Sequence, residues 1–408
     1  MNQSKLLYLF IFLSVILSVS NSCSKSNNLP DPIRQTGDST HQAEDSAQLD
    51  GTVYVNSTYS GPPSNDVHAK LFALDVNSGN LKWQYEWVSN LSSGTEFSGG
   101  FVYTGFGEDL VCIDAVTRNI KWQYTTGYSG FEPLVVNNIV YVVSMDRYLY
   151  ALDAITGQLK WKFLEDSAPP ADWTVSDGRA GSPTVINNTV YACAYHGYTY
   201  ALDALTGKLK WATQDTLFKE TIYANPSFVN GVVYITEGIG AFVAINANDG
   251  SIKWRYSTMF GSATSPTVDG ETMYIGCGNT VQAIDVNTGI KKWGYSTSVS
   301  SLSSPTVMNG VVYAAGSNAN TSAIYALDAN TGNLKWSNGY DYPVSSDPII
   351  FNNTVYIGNT VNLLALDKHT GQVKWKFTGN GYEEFQRNFC IVDKAGNIFH
   401  SPGSGNQN

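Results

Sequence analysis

The 408-residue chain carries 24 Lys and Arg against 34 Asp and Glu, a net charge of −10, and its lysines are spread along the length. That balance excludes a nucleic-acid or anionic-lipid surface built on a clustered basic patch, and the length admits one large domain. Aromatic residues are nearly as abundant as charged ones, 13% against 14%, so the chain has much to bury.

At the N-terminus, Lys5 precedes an apolar run from Leu6 to Val19 that is short for a membrane span. Small polar residues and Cys23 follow. Residues 1–22 read as a secretory signal ending at a lipidated Cys23. Ser22 suits the lipoprotein signal peptidase, whereas Ser20 stands where Leu or Val is commoner, and plain secretion is the alternative. Residues 23–49 are rich in Ser, Asn, Asp, Gln and Pro, with almost nothing to bury, which predicts a disordered tether.

From residue 50 to 403 a repeat takes over. Trp83, Trp122, Trp161, Trp211, Trp254, Trp293, Trp336 and Trp375 each follow a lysine and sit eight residues after Asp75, Asp114, Asp153, Asp203, Asn246, Asp285, Asp328 and Asp367. A period of about 40 residues means a solenoid or a propeller. Within a unit, Ser265–Val268, Met273–Gly276, Val281–Asp285 and Ile290–Trp293 are rich in Val, Ile, Tyr and Thr and separated by turn dipeptides, so four short strands fit. Units of four strands bury both faces and protect their edges by stacking radially. The expected fold is therefore all-β: an eight-bladed propeller of four-stranded antiparallel blades.

The Asp-x-x-Thr-Gly segment reads as a type I turn closed by a residue in the left-handed region. Gly79, Gly157, Gly207, Gly250, Gly289, Gly332 and Gly371 fill that slot, and Arg118 breaks the series. The repeated Asp is expected to accept hydrogen bonds from its own turn, and the Lys before each Trp to point into solvent. The first unit supplies only three strands, Gly51–Val55, Lys70–Asp75 and Asn80–Tyr85, while Asn388–Asp393 follows the eighth Trp as a spare. That spare is expected to insert into the first blade and close the ring; Ile398–His400 competes with, or extends beside, the N-terminal strand.

Cys112 occupies the slot that is Ala in the other units, and Cys193, Cys277 and Cys390 stand at unlike positions, so four buried thiols are expected. His41, His68, His196, His369 and His400 are scattered over different units, and none pairs with a Ser or Cys at catalytic spacing. Gly105-Phe106-Gly107 lacks the strand–turn–helix setting of a nucleotide loop.

The string Ala-x-Asp-x-x-Thr-Gly-x-x-x-Trp, as in Ala151–Trp161 and Ala326–Trp336, resembles the tryptophan-docking motif of pyrroloquinoline-quinone-type propeller repeats. The match covers nearly everything from about residue 50 onward. It implies that each of the eight tryptophans wedges against the neighbouring blade near its turn glycine, where a large apolar ring with one N–H donor is well suited. Within that family the chain is similar to the BamB-type outer-membrane lipoproteins. It lacks the adjacent-cysteine pair that quinoprotein dehydrogenases place against the quinone, and no Glu, Asn and Asp set is assignable to calcium. The resemblance implies a monomeric, non-enzymatic scaffold for protein partners, without cofactor or metal. It would be held to the membrane only by its anchor, at the outer membrane facing the periplasm, as Ser24 after Cys23 also favours. A pyrroloquinoline-quinone-dependent dehydrogenase and a glycan-binding propeller are the rival readings.

In a four-stranded meander the first-to-second and third-to-fourth turns share one face, and here they are short and uniform. The other face varies, with irregular segments at Tyr59–His68, Leu164–Ala180, Tyr195–Tyr198, Phe218–Glu220, Met259–Phe260, Asn318–Ser322, Tyr340–Tyr342 and Tyr382–Arg387. Binding concentrates on such loops. Aromatics and Arg carry interaction hot spots, which makes Trp87, Trp173, Arg179, Tyr198, Phe260, Tyr342 and Phe385 the partner-binding candidates.

Overall fold

The computed structural model describes residues 51–400 apart from 62–63, 90–91, 128–131, 145, 165–180, 195–196, 216–224, 238–239, 259–263, 380–382 and 386–388. The expected leader, Cys23 and the expected tether lie outside the described residues.

The repeat folds as eight antiparallel blades arranged as a propeller. Blade 6 shows the unit: Thr267–Asp269, Thr272–Cys277, Thr280–Asp285 and Lys291–Ser296 follow one another from the innermost strand outward. Its register sets Thr267, Tyr274, Ala283 and Trp293 in one row. The small residue lies between two large rings, and Cys112 takes the same place between Tyr103 and Trp122 in blade 2. Burial pushes the Cys112 thiol up to about 12, as suits a packing residue. All four described cysteines are buried thiols.

The core is a series of layers shared between neighbours. One joins Val232, Tyr234 and Phe242 of blade 5 to Met273, Ile275 and Ile284 of blade 6; another joins Val53 and Phe72 of blade 1 to Ile349 and Tyr356 of blade 8. Each seam is fastened on the rim that carries the Asp turns. Trp161 of blade 3 lies against Gly207 of blade 4, whose φ is +68°, and a Cβ there would stand 2.7 Å from the indole. The indole N–H donates to the carbonyl of Ala204 at 3.0 Å, and the Tyr141 hydroxyl donates to the same oxygen at 3.0 Å. This paired donation recurs at six further seams, including Trp375 and Tyr356 onto the Val76 carbonyl, which joins blade 8 to blade 1. Both lone pairs of one backbone oxygen are thus satisfied across each seam.

The exception is the Trp83 seam, where the partner turn carries Arg118 at a φ of 63°. A non-Gly residue held there costs about 1 kcal/mol, and at the equivalent Gly207 a Cβ would stand 2.7 Å from the indole. Arg118→Gly is expected to raise stability by about 1 kcal/mol, read as an upward shift of the denaturation midpoint. An unchanged or lower midpoint contradicts the assignment.

Asp153 accepts the Ile155 and Thr156 amides at 3.1 and 3.0 Å, the turn role expected of it. The lysines lie in solvent as expected, with Lys82 alone half-buried. Seven of them pair with the Asp of their own blade at 3.1–3.9 Å, Lys160 to Asp153 among them, because the side chain is long enough to cross the outer hairpin. At the surface each pair is worth little.

The ring closes as the strand count requires. Cys390–Val392 pairs with Thr52–Gly61 through Tyr54↔Cys390 and Thr52↔Val392, filling the missing first strand of blade 1. Ile398–His400 does not compete with the N-terminal strand but pairs with Cys390–Val392 on its far side. Phe385, expected on the surface, is 1% exposed. Glu383–Phe385 pairs with Thr52–Gly61, which lodges that ring 6.0 Å from both Phe72 and Phe377 in the layer between blades 8 and 1.

The extra strand brings His400 Nδ1 to 3.4 Å from Glu96 Oε2, both side chains nearly inaccessible. Burial holds the imidazole down at about 4. Burial, with the charge of Glu132, pushes the Glu96 carboxyl well above its ordinary range. The two act oppositely on stability. The depressed His400 contributes above 6.5 and loses that contribution, on the order of 3 kcal/mol, as pH falls toward 4. The raised Glu96 contributes at low pH and loses its share as pH rises through its folded value. Across that acidic range His400→Gln should lose less stability than the parent, and Glu96→Gln more. Parallel stability profiles for the three proteins would sink this reading.

Candidate functional site

The repeat is least regular around blade 8. Counting from the Asp turn, the third strand of blade 8 is Asn362–Asp367, whereas blade 1 runs Ser64–Asp75 and blade 7 runs Thr321–Asp328. At about 3.4 Å per residue the neighbours overreach blade 8 by roughly 20 Å and 7 Å on the variable face. Blade 8 therefore lies low, in a trough between its neighbours whose blade 1 side is occupied by Glu383–Phe385.

On the blade 7 side the trough deepens into a cleft of about 570 Å³, lined among others by Ser298, Asn318, Asp341, Tyr342, Asn359 and Lys376. Asparagine side chains fix its walls. Asn318 donates to the Ser298 carbonyl at 3.3 Å; Asn359 donates to the Asp341 carbonyl at 3.2 Å and accepts the Val361 and Asn362 amides at 3.0 and 2.6 Å. Tyr340 donates to the Gly371 carbonyl, and burial pushes its phenol up to about 12. Amides, hydroxyls, one carboxylate and one ammonium around two phenol rings suit a polar guest with an apolar face, and the volume lies within the usual range for ligand pockets.

Tyr342 stands at the mouth, 46% exposed, with a φ of 68°. A bulky residue in the left-handed region costs about 1 kcal/mol or more. Its amide donates to the Asn320 carbonyl at 3.2 Å, which holds the strained turn and leaves the ring outside. Strain kept at an exposed aromatic marks a functional position more clearly than exposure alone.

The other candidates do not converge here. Trp87, on the blade 1 wall, is half-buried with its ring 4.2 Å from both Tyr85 and Phe106. Tyr198 is half-buried, stacked on Tyr200 at 5.7 Å over the layer between blades 3 and 4. Phe385 is in the core. Trp173, Arg179 and Phe260 lie outside the described residues. Asn318 and Asp341 fell inside segments that break the repeat, whereas Ser298, Asn359 and Lys376 carried no signal beyond being polar. Among the described residues, no three His, Cys, Asp or Glu side chains are grouped as metal ligands would be.

The family model described as outer membrane protein assembly factor BamB matches residues 67–214, 200–324 and 303–387, most of the propeller. The chain belongs to that family. A BamB crystal structure from Moraxella catarrhalis has a similar fold, with a TM-score of 0.60 at 17% identity over 76% of this chain and 97% of that one. The computationally designed protein Ika8 is similar at a TM-score of 0.63 and 16% identity, over 76% of this chain and 95% of that one. No curated protein matches in sequence. Sharing a fold does not fix a function, which resides in particular side chains carried on it.

Proposed function

We propose that this BamB-family chain is a monomeric, non-enzymatic cell-envelope lipoprotein, anchored through Cys23. Its propeller binds a protein partner in the trough over blade 8, as a scaffold in assembling outer-membrane β-barrel proteins. Family membership supports the process, and the strained, exposed Tyr342 at the mouth of a polar cleft supports the place. A rigid cleft held by its own asparagines binds without the ordering cost a loose loop would bring. Trp87, Trp173, Arg179, Tyr198 and Phe260 would then serve as outlying contacts of the variable face.

Co-purification from intact envelopes tests this. Tyr342→Ala together with Asp341→Ala is expected to lose the bound protein while melting like the parent. A partner retained at parent levels defeats the assignment, as does dye reduction by the purified chain once pyrroloquinoline quinone and calcium are added.

A further inference from the structure

The rim opposite the trough is uniform in backbone but not in side chains. At the exposed second position after the repeat Asp, four blades carry Asn77, Asn248, Asn287 and Asn330, and blade 8 carries His369. Blades 2, 3 and 4, which are consecutive, carry Val116, Ile155 and Leu205, exposed by 39%, 64% and 61%. Leu159 and Leu209 stand beside them, 42% and 51% exposed, at a slot that is also apolar and exposed in blades 1, 7 and 8 as Leu81, Leu334 and Val373. Single exposed apolar residues mean little. Three in adjacent blades, at the tip of a turn where the same repeat elsewhere places a polar residue, form a patch.

The chain itself indicates what covers the patch. Gly51, where the described chain enters blade 1, accepts the Val76 amide at 2.8 Å. The same bond joins Ala115 to Gly100 in blade 2 and Ala154 to Asn138 in blade 3, so Gly51 lies on the Asp-turn rim, one blade from the patch. The segment leading back to Cys23 thus attaches on that rim. Around the patch Lys121, Lys160 and Lys210 pair with Asp114, Asp153 and Asp203 at 3.1, 3.1 and 3.9 Å, and these turns add the cations Arg118 and Lys208 but no further carboxylate.

We propose that the Asp-turn rim of blades 2–4 rests on the lipid bilayer, with Val116, Ile155 and Leu205 entering the boundary between headgroups and acyl chains. Attraction here is mainly apolar, so zwitterionic lipid suffices, and Arg118 and Lys208 add a smaller attraction to anionic headgroups that salt screens. The trough, on the opposite face, is turned away from the membrane. The proposal shares the lipid anchor with the function proposed above but not the partner site.

The test uses the intact lipoprotein in phosphatidylcholine vesicles, with an environment-sensitive dye on a cysteine placed at Ile155 or, as control, at Tyr342. The dye at 155 should be quenched by acyl-chain spin labels and the dye at 342 should not. Equal exposure of both dyes to water overturns the proposal. A second arm replaces Val116, Ile155 and Leu205 together by Asn, the residue that four other blades carry there. This variant should melt like the parent yet lose at least tenfold in vesicle binding when combined with Cys23→Ser. Undiminished vesicle binding overturns the proposal, and so does loss of a co-purifying protein with vesicle binding unchanged, which would mark the patch as a protein interface. The mass of the N-terminal peptide reads lipidation independently, and the Cys23→Ser chain, titrated with vesicles, reads the patch without the anchor.

Discussion

A chain ending before Phe389 is expected to lose its cooperative thermal transition. The removed residues include Phe389, Ile391 and Val392, each at most 1% exposed, and a fully buried side chain of this kind contributes about 1.5–3 kcal/mol. Thr52–Gly61 loses its pairing with Cys390–Val392, and the layer shared by blades 8 and 1 loses Phe389 and Ile391. The uncovered strand also becomes an edge able to pair with other chains. Broad or absent melting, with aggregation, is the expected calorimetric result. A truncated chain that melts cooperatively at the parent temperature would contradict this closure. His400→Gln, which leaves the strand in place, is the milder control.

Trp161→Ala should destabilise by about 3–5 kcal/mol, in the usual range for removing a large buried aromatic. The indole is 9% exposed, packs 5.9 Å from Tyr141 and fills the space that Gly207 leaves. Its removal also takes one of two donors from the Ala204 carbonyl. Trp161→Phe should fall between, keeping most of the packing and losing the hydrogen bond. Tyr141→Phe isolates the other donor at about 1 kcal/mol. Chemical denaturation measures all three, and a Trp161→Ala midpoint within error of the parent would mean that the indole does not lock the seam.

The architecture was legible because eight copies of one pattern average out local accidents. Asp, Thr, Gly and Trp at fixed spacing define a turn and its docking ring, and the strand count of the first unit foretold closure by the C-terminus. What stayed hidden depends on side chains from distant units meeting. Nothing near Tyr141 announces that its hydroxyl shares an oxygen with Trp161, and Glu96 and His400 meet only because the extra strand joins blade 1. Phe385 was misread because a loop aromatic on the varying face looks exposed; the seam between blades 8 and 1 needed a ring, and Glu383–Phe385 supplies it. Only Tyr342 of the candidates lines the cleft, since the walls come from five separate segments. The Asp-turn rim looked uniform because its backbone is, and Val116, Ile155 and Leu205 differ from their Asn counterparts in the one property the pattern does not encode.

Photo-cross-linking in intact cells tests the central claim most directly. With benzoylphenylalanine at Tyr342, at the mouth of the cleft, and at Asn287 on the opposite rim, irradiation should join a discrete protein partner to position 342 and none to position 287. Cross-links confined to position 287, or a bare position 342 in a chain of normal abundance, would contradict the assignment of the variable face as the partner-binding surface.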